Sequence, residues 1–194
     1  MIYTMKKGKL IIISAPSGSG KSTIIGKIIG DPDLRLSFSV SATTREPRAG
    51  EEHGVHYYFL SVEEFKSAIA SNSLVEYEEG YPGLFYGTLK SEVERIQQEG
   101  RNVILDIDVK GGVNVKKLYG NDSLAIFIQP PSVEELRKRL IARATDPIEA
   151  INQRVSKAEF EIGFAPQFAA LVINDVLGSA VEKTRSLISQ FVNS

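Results

Sequence analysis

Ala15-Pro-Ser-Gly-Ser-Gly-Lys-Ser22 is the stretch on which the reading of this chain turns. An apolar run, Leu10-Ile-Ile-Ile13, precedes it, and branched side chains without polar interruption suit a buried parallel strand. Thr23-Ile-Ile-Gly-Lys-Ile-Ile29 follows and reads as the first turns of a helix. Strand, glycine-rich turn, Gly-Lys-Ser and helix are the context of a phosphate-binding P-loop. Backbone N–H groups can cradle phosphate oxygens only where the chain turns tightly without side chains in the way, which assigns Gly18 and Gly20. The opening helix aims its unpaired N–H groups and positive dipole end at the anion. Lys21 reaches the β- and γ-phosphates, and the Ser22 hydroxyl is a ligand for Mg²⁺. The nucleotide-phosphate site thus runs through Ala15, Pro16, Ser17, Gly18, Ser19, Gly20, Lys21, Ser22 and Thr23. Ala15 stands where the motif begins with glycine.

Working outward, 194 residues make one domain, or one core with an inserted lobe. With 42% hydrophobic and 24% charged residues the composition is that of a globular protein. A net charge of −1 gives no footprint for nucleic acid or an anionic membrane. The absence of cysteine excludes disulfides and thiol catalysis. Lys6, Lys7 and Lys9 precede an apolar run too short for a signal peptide, and no stretch approaches a membrane span. The cytoplasm is the expected location, and oligomeric state is left open.

Beyond the first helix, Leu36 to Val40 alternates as a strand does. The polar run Ser41 to Glu52 places Arg45 and Arg48 around a proline. It is either a solvated loop or a second phosphate site, since arginine binds phosphate bidentately. His53 and His56 lack a third ligand and read as loop histidines, not a metal site. His56–Leu60 is an expected strand, Val62–Ala70 a helix, Leu74–Glu78 a strand and Leu84–Thr88 its return after the turn at Tyr81-Pro-Gly83. Short strands rich in aromatics suggest a small antiparallel lobe set into an α/β core.

The core resumes with Leu89, Val93 and Ile96 on one helical face, ended by Gly100. Asn102–Asp108 is read as a buried strand with Asp106 and Asp108 at its carboxyl end, alternate residues facing one side. Ligands of open α/β sheets bind beyond such ends, which makes Asp106 a candidate for Mg²⁺; solvated or capping aspartates are the alternative. Leu124–Ile128 is a further strand, and Ser132 with Glu135 forms a capping box. Arg137, Lys138, Arg139, Arg143 and Arg154 lie along the next two helices, as a charged surface or as a lid that closes on phosphates. Asp146 is the expected cap of the second, with Pro147 at its first helical position. Ala170–Ile173 is a last strand, ending in Asn174-Asp175, and Ala180–Val192 a closing helix.

These segments together resemble the guanylate kinases, P-loop enzymes that transfer the γ-phosphoryl of ATP to GMP. The likeness rests on Ser14–Thr23, Val40-Ser-Ala-Thr-Thr-Arg-Glu-Pro-Arg-Ala-Gly-Glu51, Gly54–Phe59, Val75–Tyr77, Tyr86–Thr88, Leu105–Asp108, Ile128–Ser132 and Val172–Asp175. They stand in family order over nearly the whole chain, and Thr-Thr-Arg-x-Pro-Arg-x-Gly-Glu is the most specific. The resemblance implies a P-loop NTPase-type parallel sheet flanked by helices, with an inserted small mixed α/β nucleotide-binding lobe and a helical lid. The core would comprise 1–37, 89–136 and 157–194, the GMP lobe 38–88 and the lid 137–156. Arg45, Arg48, Tyr57 and Tyr86 would hold the GMP phosphate, and Ser41, Glu76, Thr88 and Asp108 would read guanine. Lys21, Arg139, Arg143 and Arg154 would be catalytic, Asn174 would lie near adenine, and Ser22 and Asp106 would serve Mg²⁺. ATP and GMP would be the substrates, in purine nucleotide metabolism. Two departures stand out: Ala15, and Ala142-Arg-Ala144 in place of the lid's usual Gly-Arg-Gly. Another nucleoside monophosphate kinase, or a related binding module without catalysis, remains the alternative.

Overall fold

The computed structural model describes residues 7–142 and 147–194; Arg143, Ala144 and Asp146 lie outside them. In chain order the described elements are β1 (Leu10–Ser14), α1 (Lys21–Ile28), β2 (Leu36–Phe38), β3 (Ser41–Thr43), β4 (Tyr58–Phe59), α2 (Val62–Ala70), β5 (Leu74–Tyr81) and β6 (Leu84–Leu89). They continue with α3 (Lys90–Gln98), β7 (Asn102–Asp106), α4 (Val109–Tyr119), β8 (Ser123–Gln129), α5 (Val133–Ala142), α6 (Ile148–Ile162), β9 (Ala170–Ile173) and α7 (Leu177–Val192). Two compact units result. One comprises residues 7–9 and Ser37–Val103, the other Leu10–Leu36 and Ile104–Ser194.

The large sheet has the order β2-β7-β1-β8-β9. β1 pairs parallel with β8, and β8 parallel with β9, so β1 and β8 take the interior. All five residues of β1 are buried, which is what an uninterrupted apolar strand needs when both faces are covered. Ile11, Ile13, Ile126, Ile128 and Val172 meet Ile24, Ile25 and Ile28 of α1 and Ala180 and Ile188 of α7 in one core. Each fully buried aliphatic side chain contributes roughly 1.5–3 kcal/mol relative to exposure. A second cluster, Leu136, Leu140, Ile151 and Ala158, packs α5 against α6.

The smaller sheet has the order β4-β3-β6-β5. It is mixed, which corrects the antiparallel expectation for this lobe: β3 runs parallel to β4 and antiparallel to β6. The connection from 44 to 57 is long enough to return the chain to the same end before β4 begins. Its bridge and the two-residue β4 replace the five-residue strand expected over His56–Leu60. α2 starts at a complete capping box, with Ser61 Oγ accepting from Glu64 N (3.1 Å) and the Glu64 carboxylate accepting from Ser61 N (2.7 Å). From α2 the fully buried Phe65 stacks on Phe85 with ring centres 5.2 Å apart. Register shifts at Val75 and Gly80 each put one extra residue into β5 opposite β6.

Three further expectations are corrected. The strand read over Asn102–Asp108 ends at Asp106, and Asp108 is the N-cap of α4, its Oδ1 accepting from Lys110 N (2.6 Å) and Gly111 N (2.9 Å). A cap must leave strand geometry so that its carboxylate can reach the helix N–H groups, so Asp106 and Asp108 do not sit on one strand face. Pro147 is the N-cap of α6 instead of its first helical residue. At α5 only the Ser132 half of the box is seen, Oγ accepting from Glu135 N at 3.0 Å, while Glu135 Oε1 accepts from Arg139.

Candidate active site

In the larger unit the turn after β1 carries Gly18 at φ 89° and Gly20 at φ 88°, left-handed values that side chains disfavour. Ser19 N donates to Pro16 O (3.1 Å), closing the turn, and Gly20 is the N-cap of α1. Space forbids a side chain as well. A Cβ on Gly18 would lie 2.9 Å from Leu136 Cδ1, and one on Gly20 would collide with Asn174 Nδ2. Asn174 is buried at the end of β9, where its Nδ2 donates to Ser19 O (2.8 Å) and its own N–H to Gln129 O (2.8 Å). The asparagine expected near adenine therefore also holds the phosphate loop. Ala15 is itself buried, so the small residue in place of glycine fits an enclosed position.

A cavity of about 390 Å³ lies over this loop, lined by Ala15 through Thr23 together with Asp106, Ile107, Asp108 and Glu161. Lys21 Nζ is ion-paired with Asp106 Oδ1 and donates to Ile107 O (3.3 Å). The ammonium is thus fixed at the carboxyl end of β7 beside the hydroxyl-bearing start of α1. Glu161, on α6, is a buried carboxylate that sequence reasoning missed; burial, and then the nearby Asp108, push its pKa up, against Lys157 and Lys21. Among the described residues no cluster of three or more His, Asp or Glu is arranged to hold a metal ion. Mg²⁺ keeps most of its waters and takes phosphate oxygens plus one or two protein ligands. Ser22, exposed at the helix start, and Asp106 are the groups of that kind here.

The basic helices are partly committed. Arg139 donates from Nη1 to Asn174 O (2.9 Å) and from Nε to Glu135 Oε1 (3.2 Å). Arg137 Nη1 donates to Asn152 Oδ1 (3.0 Å), joining α5 to α6. Arg154 is half-buried on α6.

In the smaller unit two clusters form. Ser41 of β3 lies opposite Thr88 of β6, and Thr88 opposite Glu76 of β5, so three expected guanine readers make one row across the strands. Thr88 Oγ1 donates to Glu76 Oε1 at 2.7 Å, fixing the carboxylate. The second cluster gathers Arg45, Tyr57, Phe59 and Tyr86. Arg45 Cζ sits 5.5 Å from the centre of the Tyr57 ring and 5.7 Å from that of Phe59, and Tyr57 meets Tyr86 edge-on at 6.3 Å. Glu51 completes it, a residue with no assigned role in the sequence reading. Its carboxylate accepts from Arg45 Nη2 and from the Arg48 backbone N–H (2.8 Å). The Arg48 N–H first, and then the Arg45 guanidinium, hold the Glu51 carboxyl below its ordinary range. Arg48 itself is exposed, and Asp108 belongs to the larger unit, lining the loop cavity.

The model of the guanylate kinase family matches residues 7–191, almost the whole chain. The chain belongs to the guanylate kinase family. It is 58% identical to the guanylate kinase of Porphyromonas gingivalis strain W83 over 184 residues, covering 95% of this chain and 98% of that one. It is 54% identical to the guanylate kinase of Bacteroides thetaiotaomicron over 96% of this chain and 91% of the other. Among solved structures, guanylate kinase from Anaplasma phagocytophilum superposes with a TM-score of 0.72 at 27% identity, over 97% of this chain and 88% of that one. The family and its fold, a parallel sheet flanked by helices with a second mixed sheet, agree with both sheets described above. No described helix is long and apolar enough to cross a membrane.

Proposed function

We infer that the chain transfers the γ-phosphoryl of ATP to GMP, giving ADP and GDP, with ATP held on the loop of the larger unit and GMP in the smaller. The observation that carries the assignment of GMP is the Ser41–Thr88–Glu76 row with its fixed carboxylate. Guanine presents N1–H and the N2 amino group side by side, two donors that match one carboxylate. Adenine has an acceptor at N1 and only C–H at position 2, which would leave Glu76 desolvated and unpaired.

Each residue then takes a part. Backbone N–H groups of 15–23 cradle the donor phosphates, and Lys21 exchanges Asp106 for the β- and γ-phosphates. Arg45, Arg48, Tyr57 and Tyr86 grip the acceptor phosphate. Arg139 and Arg154, with Arg143, neutralise charge spreading over the transferring group. Mg²⁺, held by Ser22 and through Asp106, would supply further charge neutralisation on the donor. Asn174 borders the adenine. No general base is required, because the acceptor phosphate is already ionised at neutral pH. Positioning and charge stabilisation supply most of the rate of such transfers. A cytoplasmic setting and a role in purine nucleotide metabolism fit these substrates.

Calorimetric titration tests the acceptor assignment directly. GMP should bind the wild type and bind Glu76→Gln at least about tenfold more weakly, while ATP binds both alike. Equal GMP affinity in the two proteins would overturn it.

A further inference from the structure

Glu92 is a carboxylate only 3% exposed, on α3, beside the buried apolar residues Val93 and Ile96 of the same helix. An ion withdrawn from water that far costs stability unless its oxygens are well satisfied. They are. Arg95 donates from Nε (3.0 Å) and Nη2 (2.8 Å), and Tyr58 donates from its hydroxyl (3.2 Å). Arg95 is half exposed and bonds Glu99 too, so water could satisfy it. The remaining donor is more telling by its place in the chain. Tyr58 immediately follows Tyr57.

Successive side chains of a strand point to opposite faces. Tyr58 packs with the Ala42, Phe65 and Phe85 cluster on one face, while Tyr57 meets Tyr86 and Arg45. A bond that fixes Tyr58 therefore fixes, through the backbone, the direction of Tyr57. β4 has special need of it, being two residues long and at the edge of its sheet, with little ladder to hold it. α3 follows directly on β6, which carries Tyr86 and Thr88, so the Tyr58–Glu92 bond joins β4 to the helix that continues that strand.

We propose that Glu92 is a positioning residue for the acceptor nucleotide, holding the direction of Tyr57 through the Tyr58 hydroxyl. The inference rests on the reading that Tyr57 contacts GMP. It concerns the smaller unit alone and leaves the donor site untouched.

Glu92→Gln and Tyr58→Phe, with Tyr57→Phe as a direct-contact control, separate positioning from plain stability. KM for GMP, KM for ATP, kcat and melting temperature would be measured for each at a temperature where it is folded. Both positioning variants should raise KM for GMP about tenfold with KM for ATP within twofold, and the double variant should do little more than the stronger single one. Tyr58→Phe removes one oxygen and keeps the ring, so the test survives if Glu92→Gln does not fold. A lowered melting temperature with KM for GMP unchanged, or KM for both nucleotides rising together, would overturn the proposal. If Tyr57→Phe alone raises KM for GMP, the acceptor assignment stands and the inference fails. If none of the three variants moves it, both fail.

Discussion

Arg45 Nη2 donates to both carboxylate oxygens of Glu51, each at 2.9 Å. The same carboxylate draws in the Arg48 backbone N–H, so one acidic side chain organises both arginines of the Thr-Thr-Arg-x-Pro-Arg segment. The ion pair, and the Tyr86 contact after it, keep the Arg45 guanidinium above its ordinary pKa, fully cationic. Held over Tyr57 and Phe59 and paired with Glu51, that cation is fixed in orientation by its own neighbours.

Preorganisation of this kind predicts the effect of Glu51→Gln. The amide keeps the shape but loses the charge-assisted bonds to Arg45 and Arg48, so the loop is ordered only at the expense of binding. KM for GMP should rise by about tenfold, with KM for ATP within twofold. Steady-state kinetics with each nucleotide varied in turn would check it; parallel changes in both would show that Glu51 serves only the fold.

Two glycines make a matched pair for the donor loop. Gly20 combines a φ of 88° with a collision between any Cβ and Asn174, whereas Gly26 is in α1 with nothing within 4 Å of a Cβ. Gly20→Ala should weaken ATP binding at least about tenfold in a protein that still folds. Gly26→Ala should leave ATP binding alone and add about 0.5–1 kcal/mol of stability. Denaturant melts and ATP titrations of the two variants would distinguish these outcomes.

Glu161 predicts a pH dependence of opposite sign to that of a paired surface acid. Its pKa is raised above the ordinary 4.5, chiefly by burial, so the folded chain holds this proton more tightly than the unfolded one. Below the ordinary value the carboxyl is neutral in both states and costs nothing. As pH rises through the folded pKa, ionisation costs stability, and above it the whole cost is present. Glu161→Gln should therefore melt higher than the wild type at neutral pH, with the gap closing towards pH 4, about the ordinary carboxylate value. A gap independent of pH would contradict this account.

What the sequence made legible follows period and punctuation. The apolar runs at Leu10–Ile13 and Leu124–Ile128 became buried strands, and the helix read over Val62–Ala70 has those bounds. Asp108 was misjudged because alternation continues through Ile107, while the turn to α4 is decided by the bonds its carboxylate makes to Lys110 and Gly111. Val109–Tyr119 carried no helical expectation, its pattern interrupted by Gly111-Gly112; Gly112 is needed where a Cβ would lie 2.6 Å from Ser14 Oγ. Glu51 entered only as the end of the Thr-Thr-Arg-x-Pro-Arg-x-Gly-Glu segment, and Glu92 and Glu161 carried no expectation. Glu51 finds its partners within its own loop, through a turn that no periodicity encodes, whereas the Tyr58 bond of Glu92 and the burial of Glu161 come from tertiary packing.

The central claim is that Glu76, fixed by Thr88 in a row with Ser41, selects guanine. Its most direct test is ADP release from ATP with GMP, AMP, CMP or UMP as acceptor, in wild type and Glu76→Gln. The wild type should turn over GMP with kcat/KM about 10⁴-fold or more above that for AMP, and negligibly with the pyrimidine nucleotides. Glu76→Gln should lose GMP activity through kcat/KM while KM for ATP stays unchanged. Comparable kcat/KM for AMP and GMP in the wild type would contradict the account and point to a nucleoside monophosphate kinase with a different acceptor.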